Sequence, residues 1–183
     1  MTLHIIHLPN RKDRLEILKK ELEIQNITDY RIWDGIIDPK NPCRGISQAH
    51  KQIIQFAKHE NLTEVLIAED DIKFTSTSAF AFYLKNKPVN CDIYLGGIIW
   101  GKLKEDNSVN DFSGTTLYLA NQRFYDVLLS LPEDKDYDRA LAMKGRFIVC
   151  NPMVAVQHSG FSDNQKRNID FGPYTRRANL YIE

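Results

Sequence analysis

The chain has 183 residues, 43% of them hydrophobic and 26% charged, which is the size and composition of one ordinary globular domain with enough apolar residues to bury a core. Its 24 Lys and Arg balance 24 Asp and Glu, so the basic excess of a nucleic-acid binder is absent. Cys43, Cys91 and Cys150 stand far apart with no Cys-x-x-Cys spacing, which argues against a zinc site or a disulfide framework and fits a reducing, cytoplasmic setting.

Residues 1–14 reach charged side chains too early for a signal peptide, and no apolar run is long enough to cross a bilayer. Lipid-linked material would therefore be met by peripheral association with the membrane from the cytoplasmic side.

In chain order, residues 3–8 read as a short buried strand. Pro9 and Asn10 stop it, and Asn10 is placed to cap a helix with Asp13 in the capping-box position. Ile17, Leu15, Leu18, Leu22 and Ile24 recur at helical spacing after that. Residues 30–33 suggest a second strand, Asp34–Gly35 a turn, and the stretch to Gly45, with Pro39 and Pro42, a loop. Ile46, Ala49, His50, Ile53, Ile54 and Ala57 trace one face of a second helix.

Residues 65–68 are a short apolar strand that runs straight into Glu69–Asp70–Asp71. A third helix is expected over 75–85 and a strand over 92–95, ending at Gly96–Gly97. Residues 100–111 read as a polar connection, 115–120 as a strand, and Asn121 as the cap of a helix carrying Phe124, Val127 and Leu128. A helix over 138–144 follows, then strands over 147–150 and 153–156, broken at Asn151–Pro152. The alternation predicts an α/β fold: a single Rossmann-like domain over 1–183 with a mainly parallel sheet, helices on both faces, and a polar tail from about 159.

Glu69–Asp70–Asp71 is the most informative point. Three adjacent carboxylates repel one another, and on an open loop they need no explanation. At the C-terminal end of a buried strand they lie where open α/β sheets bind ligands. There a hard cation, Mn²⁺ or Mg²⁺, would neutralise them and hold substrate phosphate oxygens as well. Asn10, Arg11 and Arg14 open the first helix, whose free backbone N–H groups favour anions, and the two guanidinium groups add charged donors suited to a diphosphate. Gly114 and Thr115 precede a strand and allow close approach to a ligand or simply a tight turn. His158, at a strand end, is a late metal ligand, a phosphate donor, or a structural histidine. Of the two tryptophans, Trp33 suits the core and Trp100, in a polar stretch, suits stacking on a ring of a ligand.

These segments together resemble glycosyltransferase family 25, the lipooligosaccharide and procollagen galactosyltransferase group. The opening from Ile5 to Arg14, the Asp34–Gly35 step, Leu66 to Asp71, Asp92 to Gly96, Gly114 to Leu119, Asp138 to Leu141, and Pro152 to Gln157 with Ser162–Asp163 fall in the family's order along nearly the whole chain. The resemblance implies a GT-A type fold, a UDP-sugar donor bound by Asn10, Arg11, Arg14, Asp34, Gly35, Gly114 and Thr115, and a metal held by Glu69, Asp70 and Asp71, to which the position of His158 adds a further candidate ligand. It also implies transfer of a hexose, galactose or glucose, with inversion, to a glycan or lipid-linked glycan acceptor such as a lipopolysaccharide precursor. Asp138, with Asp136 as the neighbouring alternative, is then the candidate general base, and His50 and Ser47 are acceptor-side candidates. The family's Ser-His pair is broken here, because Ala49 precedes His50. That departure supports the competing reading of a non-catalytic nucleotide-sugar or glycan-binding module on the same fold. A nucleotidyltransferase would use similar carboxylates, but it would carry a Gly-rich phosphate loop where Pro9–Asn10–Arg11 stands.

Overall fold

The structure, a computed structural model, describes residues 1–173; the end of the expected polar tail, 174–183, lies outside the described residues. The chain runs β1 (Leu3–His7), α1 (Lys12–Ile24), β2 (Tyr30–Asp34), α2 (Pro42–His59), β3 (Glu64–Glu69), β4 (Ile72–Phe74), α3 (Ala79–Lys85) and β5 (Ile93–Leu95). It continues through β6 (Trp100–Gly101), β7 (Ser108–Val109), β8 (Phe112–Ser113), β9 (Leu117–Asn121), a 3-10 turn (Gln122–Phe124), α4 (Tyr125–Leu129), α5 (Tyr137–Leu141), β10 (Phe147–Val149), β11 (Ala155–Gln157), β12 (Gly160–Ser162) and β13 (Arg167–Ile169).

A seven-stranded sheet in the order β2-β1-β3-β9-β5-β10-β7 divides the molecule. β2, β1, β3, β5 and β10 run one way, and only β9 and β7 oppose them, so the sheet is mainly parallel. Side chains alternate across β3: Val65 and Ile67 face one layer, Leu66 and Ala68 the other. On the first face Ile53, Ile54 and Ala57 of α2, Leu128 of α4 and Leu141 of α5 cover the sheet. On the second, Leu18 and Leu22 of α1 and Tyr83 of α3 cover Leu3, Ile5 and Leu119. Each fully buried Leu or Ile contributes roughly 1.5–3 kcal/mol relative to exposure, which makes these two layers the main source of stability. The α/β class and the helices on both faces are as the alternation predicts.

Several local expectations are corrected. Pro42 is the first residue of α2 rather than part of a loop; Asn41 caps that helix through its Oδ1, which accepts from Arg44 N, and proline is preformed for a first helical position. α1 has Arg11, not Asn10, at its cap, with no side-chain cap bond, because the turn is closed by the backbone bond from Arg11 N to Leu8 O and Asp13 is taken by Arg11. The helix expected over 75–85 begins only at Ala79. The residues before it include β4, which pairs antiparallel with β11 and starts the late strand at Ala155. The polar connection 100–111 holds β6 and β7, with Ser108 and Val109 buried. The polar tail contains the β12–β13 hairpin.

Candidate functional site

The parallel strands end together, and β9 begins at the same edge because it runs the other way. Glu69 at the end of β3 lies beside the start of β9, with Glu69 N donating to Thr116 O. Above this edge lies a cleft of about 540 Å³. Its floor is made by the β1 and β3 ends, one wall by α2, and another by Gly114–Thr115 and the start of α5. The β12–β13 hairpin lies over it.

Gly35 closes the floor. Its N–H donates to His7 O at 2.7 Å, and a Cβ there would stand 2.9 Å from Leu8 Cδ2, so a larger residue would have to push the Leu8 side chain aside. Gly114 has φ +108°, in the region that glycine adopts freely, and a Cβ would press on Ile99 N at 3.0 Å. The expected residues Asn10, Arg14, His50, Asp138 and His158 also line the cleft, with the acidic triplet. Arg11, Asp34 and Ser47 do not line it. Asp34 is exposed at the end of β2, and Ser47 is buried in α2 with no hydrogen-bond partner for its Oγ among the described residues.

The three carboxylates have three different environments. Glu69 accepts from Thr115 Oγ1 at 2.9 Å and Gln157 Nε2 at 3.4 Å, and His50 Nε2 stands 3.6 Å away, an electrostatic contact too long for a hydrogen bond. Asp70, only 4% exposed, is bound by His7 Nδ1 at 2.8 Å, Leu8 N at 3.3 Å and Arg14 Nη1 at 2.9 Å. Asp71 Oδ2 accepts from the same Arg14 Nη1 at 3.2 Å, while its Oδ1 is buried with no partner among the described residues. Burial, and then the charge of Glu69, push the Asp71 carboxyl up to about 8. Burial also pushes Glu69 up, but His50 and Thr115 outweigh it and hold Glu69 below its ordinary value. In this pair Glu69 keeps the charge and Asp71 the proton.

Residue types and burial test whether a divalent cation fits. An orphaned, buried carboxylate oxygen whose ionisation is suppressed for want of positive charge suits one. Among the described residues no group of three or more His, Cys, Asp or Glu side chains is arranged to hold a metal. Asp70 is already committed to His7 and Arg14. His158 Nε2 meets Glu21 Oε1 at 3.2 Å. The fit is therefore to a cation that takes Asp71 from the protein, with Glu69 nearby, and its other ligands from phosphate and water, as Mg²⁺ commonly does.

The basic side chains come from the start of α1. Arg11 Nη1 donates to Asp163 Oδ2 at 2.5 Å and to Phe161 O at 3.1 Å; Arg14 Nη2 donates to Phe161 O at 2.9 Å. On the opposite wall, Asp138 accepts from Ser113 Oγ at 2.8 Å, Gly114 N at 2.7 Å and Arg139 N at 2.6 Å. Burial lifts its pKa, and these three donors offset that only in part. Asp136 stands at the N-cap position of α5 on the exposed cleft rim, without a side-chain cap bond, and accepts from Asn164 Nδ2 at 3.2 Å. His50 is buried, with Nδ1 2.9 Å from Tyr118 Oη and its ring stacked on Tyr137 at 4.2 Å. Trp33 is half-buried with Nε1 on His4, and Trp100 is 54% exposed under the Arg139 guanidinium, outside the cleft lining.

The sequence reading did not single out His7 as a site residue. It ends a buried strand, which is a weak signal, and only the fold brings it to Asp70. Gln157, Tyr118 and Tyr137 were missed for the same reason.

No known family matches the chain by its sequence, and no curated protein does. Solved structures do resemble its fold. HddC from Yersinia pseudotuberculosis, in a structure complexed with GMP-PN, superposes with a TM-score of 0.50 at 13% identity, covering 100% of this chain and 99% of that one. A glycosyltransferase involved in the glycosylation of the major capsid of PBCV-1 gives a TM-score of 0.51 at 14% identity, covering 82% of this chain and 81% of that one. The likeness is one of fold, an α/β domain with a mainly parallel sheet. No helix among the described residues is long and apolar enough to cross a membrane.

Proposed function

We propose that the protein is a glycosyltransferase whose donor is a nucleoside-diphosphate sugar. The observation that carries this reading is the pairing of Asp71, whose Oδ1 is buried and unpartnered among the described residues, with Arg14 in one cleft at the C-terminal edge of the sheet, and Arg11 beside Arg14 on the same Phe161 O and Asp163. A diphosphate with a divalent cation brings the positive charge that Asp71 lacks and the negative charge that two arginines receive.

In this reading Arg11, Arg14 and the first turn of α1 orient the diphosphate, which places the anomeric carbon toward the wall made by Gly114, Thr115 and Asp138. A bound Mn²⁺ or Mg²⁺ at Asp71 would supply charge neutralisation for the leaving diphosphate. The acceptor hydroxyl gives its proton to a carboxylate as its oxygen forms the new bond to the anomeric carbon; the bond from that carbon to the diphosphate oxygen breaks, and the nucleoside diphosphate leaves. Direct displacement of this kind inverts the configuration. Asp138 is the base we favour, because burial lifts its proton affinity toward working pH. Its three hydrogen bonds favour a second assignment, in which Asp138 holds the Ser113–Gly114 wall and the more open Asp136 takes the proton. Asp70 orients Arg14 and His7, and Glu69, held by Thr115 and Gln157, keeps negative charge beside Asp71.

The finer reading rests on the resemblance to family 25: a UDP-hexose donor, a glycan or lipid-linked glycan acceptor, and a cytoplasmic setting with peripheral membrane association. Incubation with a panel of UDP- and GDP-sugars, with Mn²⁺ or Mg²⁺ and simple saccharide acceptors, tests it. Release of nucleoside diphosphate with sugar transferred supports the proposal. Release of pyrophosphate instead identifies nucleotidyl transfer, and ligand binding without turnover identifies a binding module.

A further inference from the structure

The two arginines assigned to the diphosphate are already occupied by an anion from the protein itself. Asp163 Oδ2 is 2.5 Å from Arg11 Nη1 and 4.0 Å from Arg14 Nη2, and Phe161 O accepts from both guanidinium groups. With this cover in place the Arg11 and Arg14 side chains are 14% and 17% exposed. A carboxylate and a backbone carbonyl thus fill the positions that phosphate oxygens would take.

The hairpin that carries them spans the cleft. At one side it is tied to Arg11 and Arg14, and at the other Asn164 Nδ2 donates to Asp136 Oδ1 at the start of α5. Every residue of β12 and β13 is exposed or half-buried, and Phe161 is 43% exposed. The contacts that fasten it across the cleft are therefore polar and replaceable by a ligand's own, and such elements open at low cost. Gly160 opens β12 and Gly172 follows β13, and Gly160 has nothing within 4 Å of where a Cβ would stand.

We propose that the β12–β13 hairpin is an autoinhibitory strap, with Asp163 as a built-in anion that a donor diphosphate must displace from Arg11 and Arg14. This rests on the donor-site reading above and adds a regulatory contact to that same site. The strap keeps the charged pocket neutral and covered until a diphosphate exchanges for Asp163. It also makes affinity a difference between two anions, so a ligand with a single weak carboxylate gains little by entering.

The test is calorimetric titration of inorganic pyrophosphate with Mg²⁺ into the parent chain and into Asp163→Asn, which keeps the shape and loses the charge. Removing the internal competitor is expected to lower the pyrophosphate Kd by about tenfold. Trypsin gives a second readout, since Lys166 and Arg167 lie in the hairpin. Cleavage there is expected to be faster in Asp163→Asn than in the parent, and pyrophosphate is expected to accelerate it in the parent. Equal or weaker binding by Asp163→Asn, from parent protein that does bind pyrophosphate, would overturn the strap and leave the donor site standing; Asp163 would then be a residue that positions the arginines. Failure of both proteins to bind pyrophosphate would sink the donor-site reading, and the strap with it.

Discussion

Arg14 Nη1 lies 2.9 Å from Asp70 Oδ1, and Asp70 is 4% exposed, so a single guanidinium from the start of α1 holds the middle carboxylate of the triplet that ends β3. The same nitrogen reaches Asp71 Oδ2 at 3.2 Å. First helix and central strand are thus tied at the one point where three carboxylates crowd together.

Removing that tie leaves buried negative charge with only His7 and Leu8 N beside it. Breaking a buried ion pair from one side is costly, and Arg14→Ala is expected to lower stability by about 2–4 kcal/mol in urea denaturation. A change under about 0.5 kcal/mol would mean that water already serves Asp70.

Asp138 predicts the acid limb of the pH profile. Burial raises its folded-state pKa above the unfolded value, so ionising it costs the fold. The stabilisation that its neutral form gives is present below the unfolded pKa of about 3.9 and is lost as pH rises through the folded value. As a base it must be ionised, so kcat is expected to fall as pH drops through a value above the usual aspartate range. Asp138→Ala should lose most activity. A profile unchanged by that substitution, with activity retained, would move the base to Asp136.

Gly45 sits on α2 where the helix passes beneath Ile36. A Cβ there would stand 2.2 Å from Ile36 O, backbone that cannot give without moving the cleft wall. Gly45→Ala is expected to destabilise by about 1–3 kcal/mol, the range for overpacking, and to weaken donor binding as well. Thermal melts with and without UDP separate the two effects; unaltered stability would show that the wall yields freely.

His158 is expected to serve stability rather than a cation. Its Nε2 bonds Glu21, and although burial pushes Glu21 up, His158 and Phe74 N hold it below its ordinary value. That contribution is present above the unfolded glutamate pKa and is lost as pH falls through the folded one. His158→Ala should cost on the order of 1 kcal/mol in this partly exposed pair and leave Mn²⁺-dependent ligand binding intact. Loss of that binding at full stability would restore His158 as a ligand.

The parts of the fold legible in the sequence are those with a local period. Val65 to Ala68 announces β3 as an apolar run, Ile53, Ile54 and Ala57 announce the buried face of α2, and the triplet's place follows from both. β6, β7, β12 and β13 are two or three residues long, so no period exists to read; β7 forms because β10, far along the chain, pairs with it, and β12 and β13 form by pairing with each other. The misreading of Pro42 came from treating proline as a breaker where it starts a helix. The site was legible as residue types and not as partnerships. Arg11 and Asp163 are 152 positions apart, and His7 and Asp70 are 63 apart; only the crossing of strands brings them together. The sequence likewise treats Glu69, Asp70 and Asp71 as equals, whereas the fold gives each its own neighbours and its own tendency to ionise.

That difference makes Asp71→Asn the most direct probe. Burial and the charge of Glu69 favour the protonated form of Asp71, so the neutral amide is expected to fold about as stably as the parent. The measurement is the melting temperature of both proteins with UDP and UDP-sugars, in Mn²⁺ and in chelator, since a ligand that binds only the folded state raises it. The account predicts a rise in the parent that needs both UDP and Mn²⁺ and is absent in Asp71→Asn. An equal rise in both proteins, or none in well-folded parent with any nucleoside diphosphate, would contradict it.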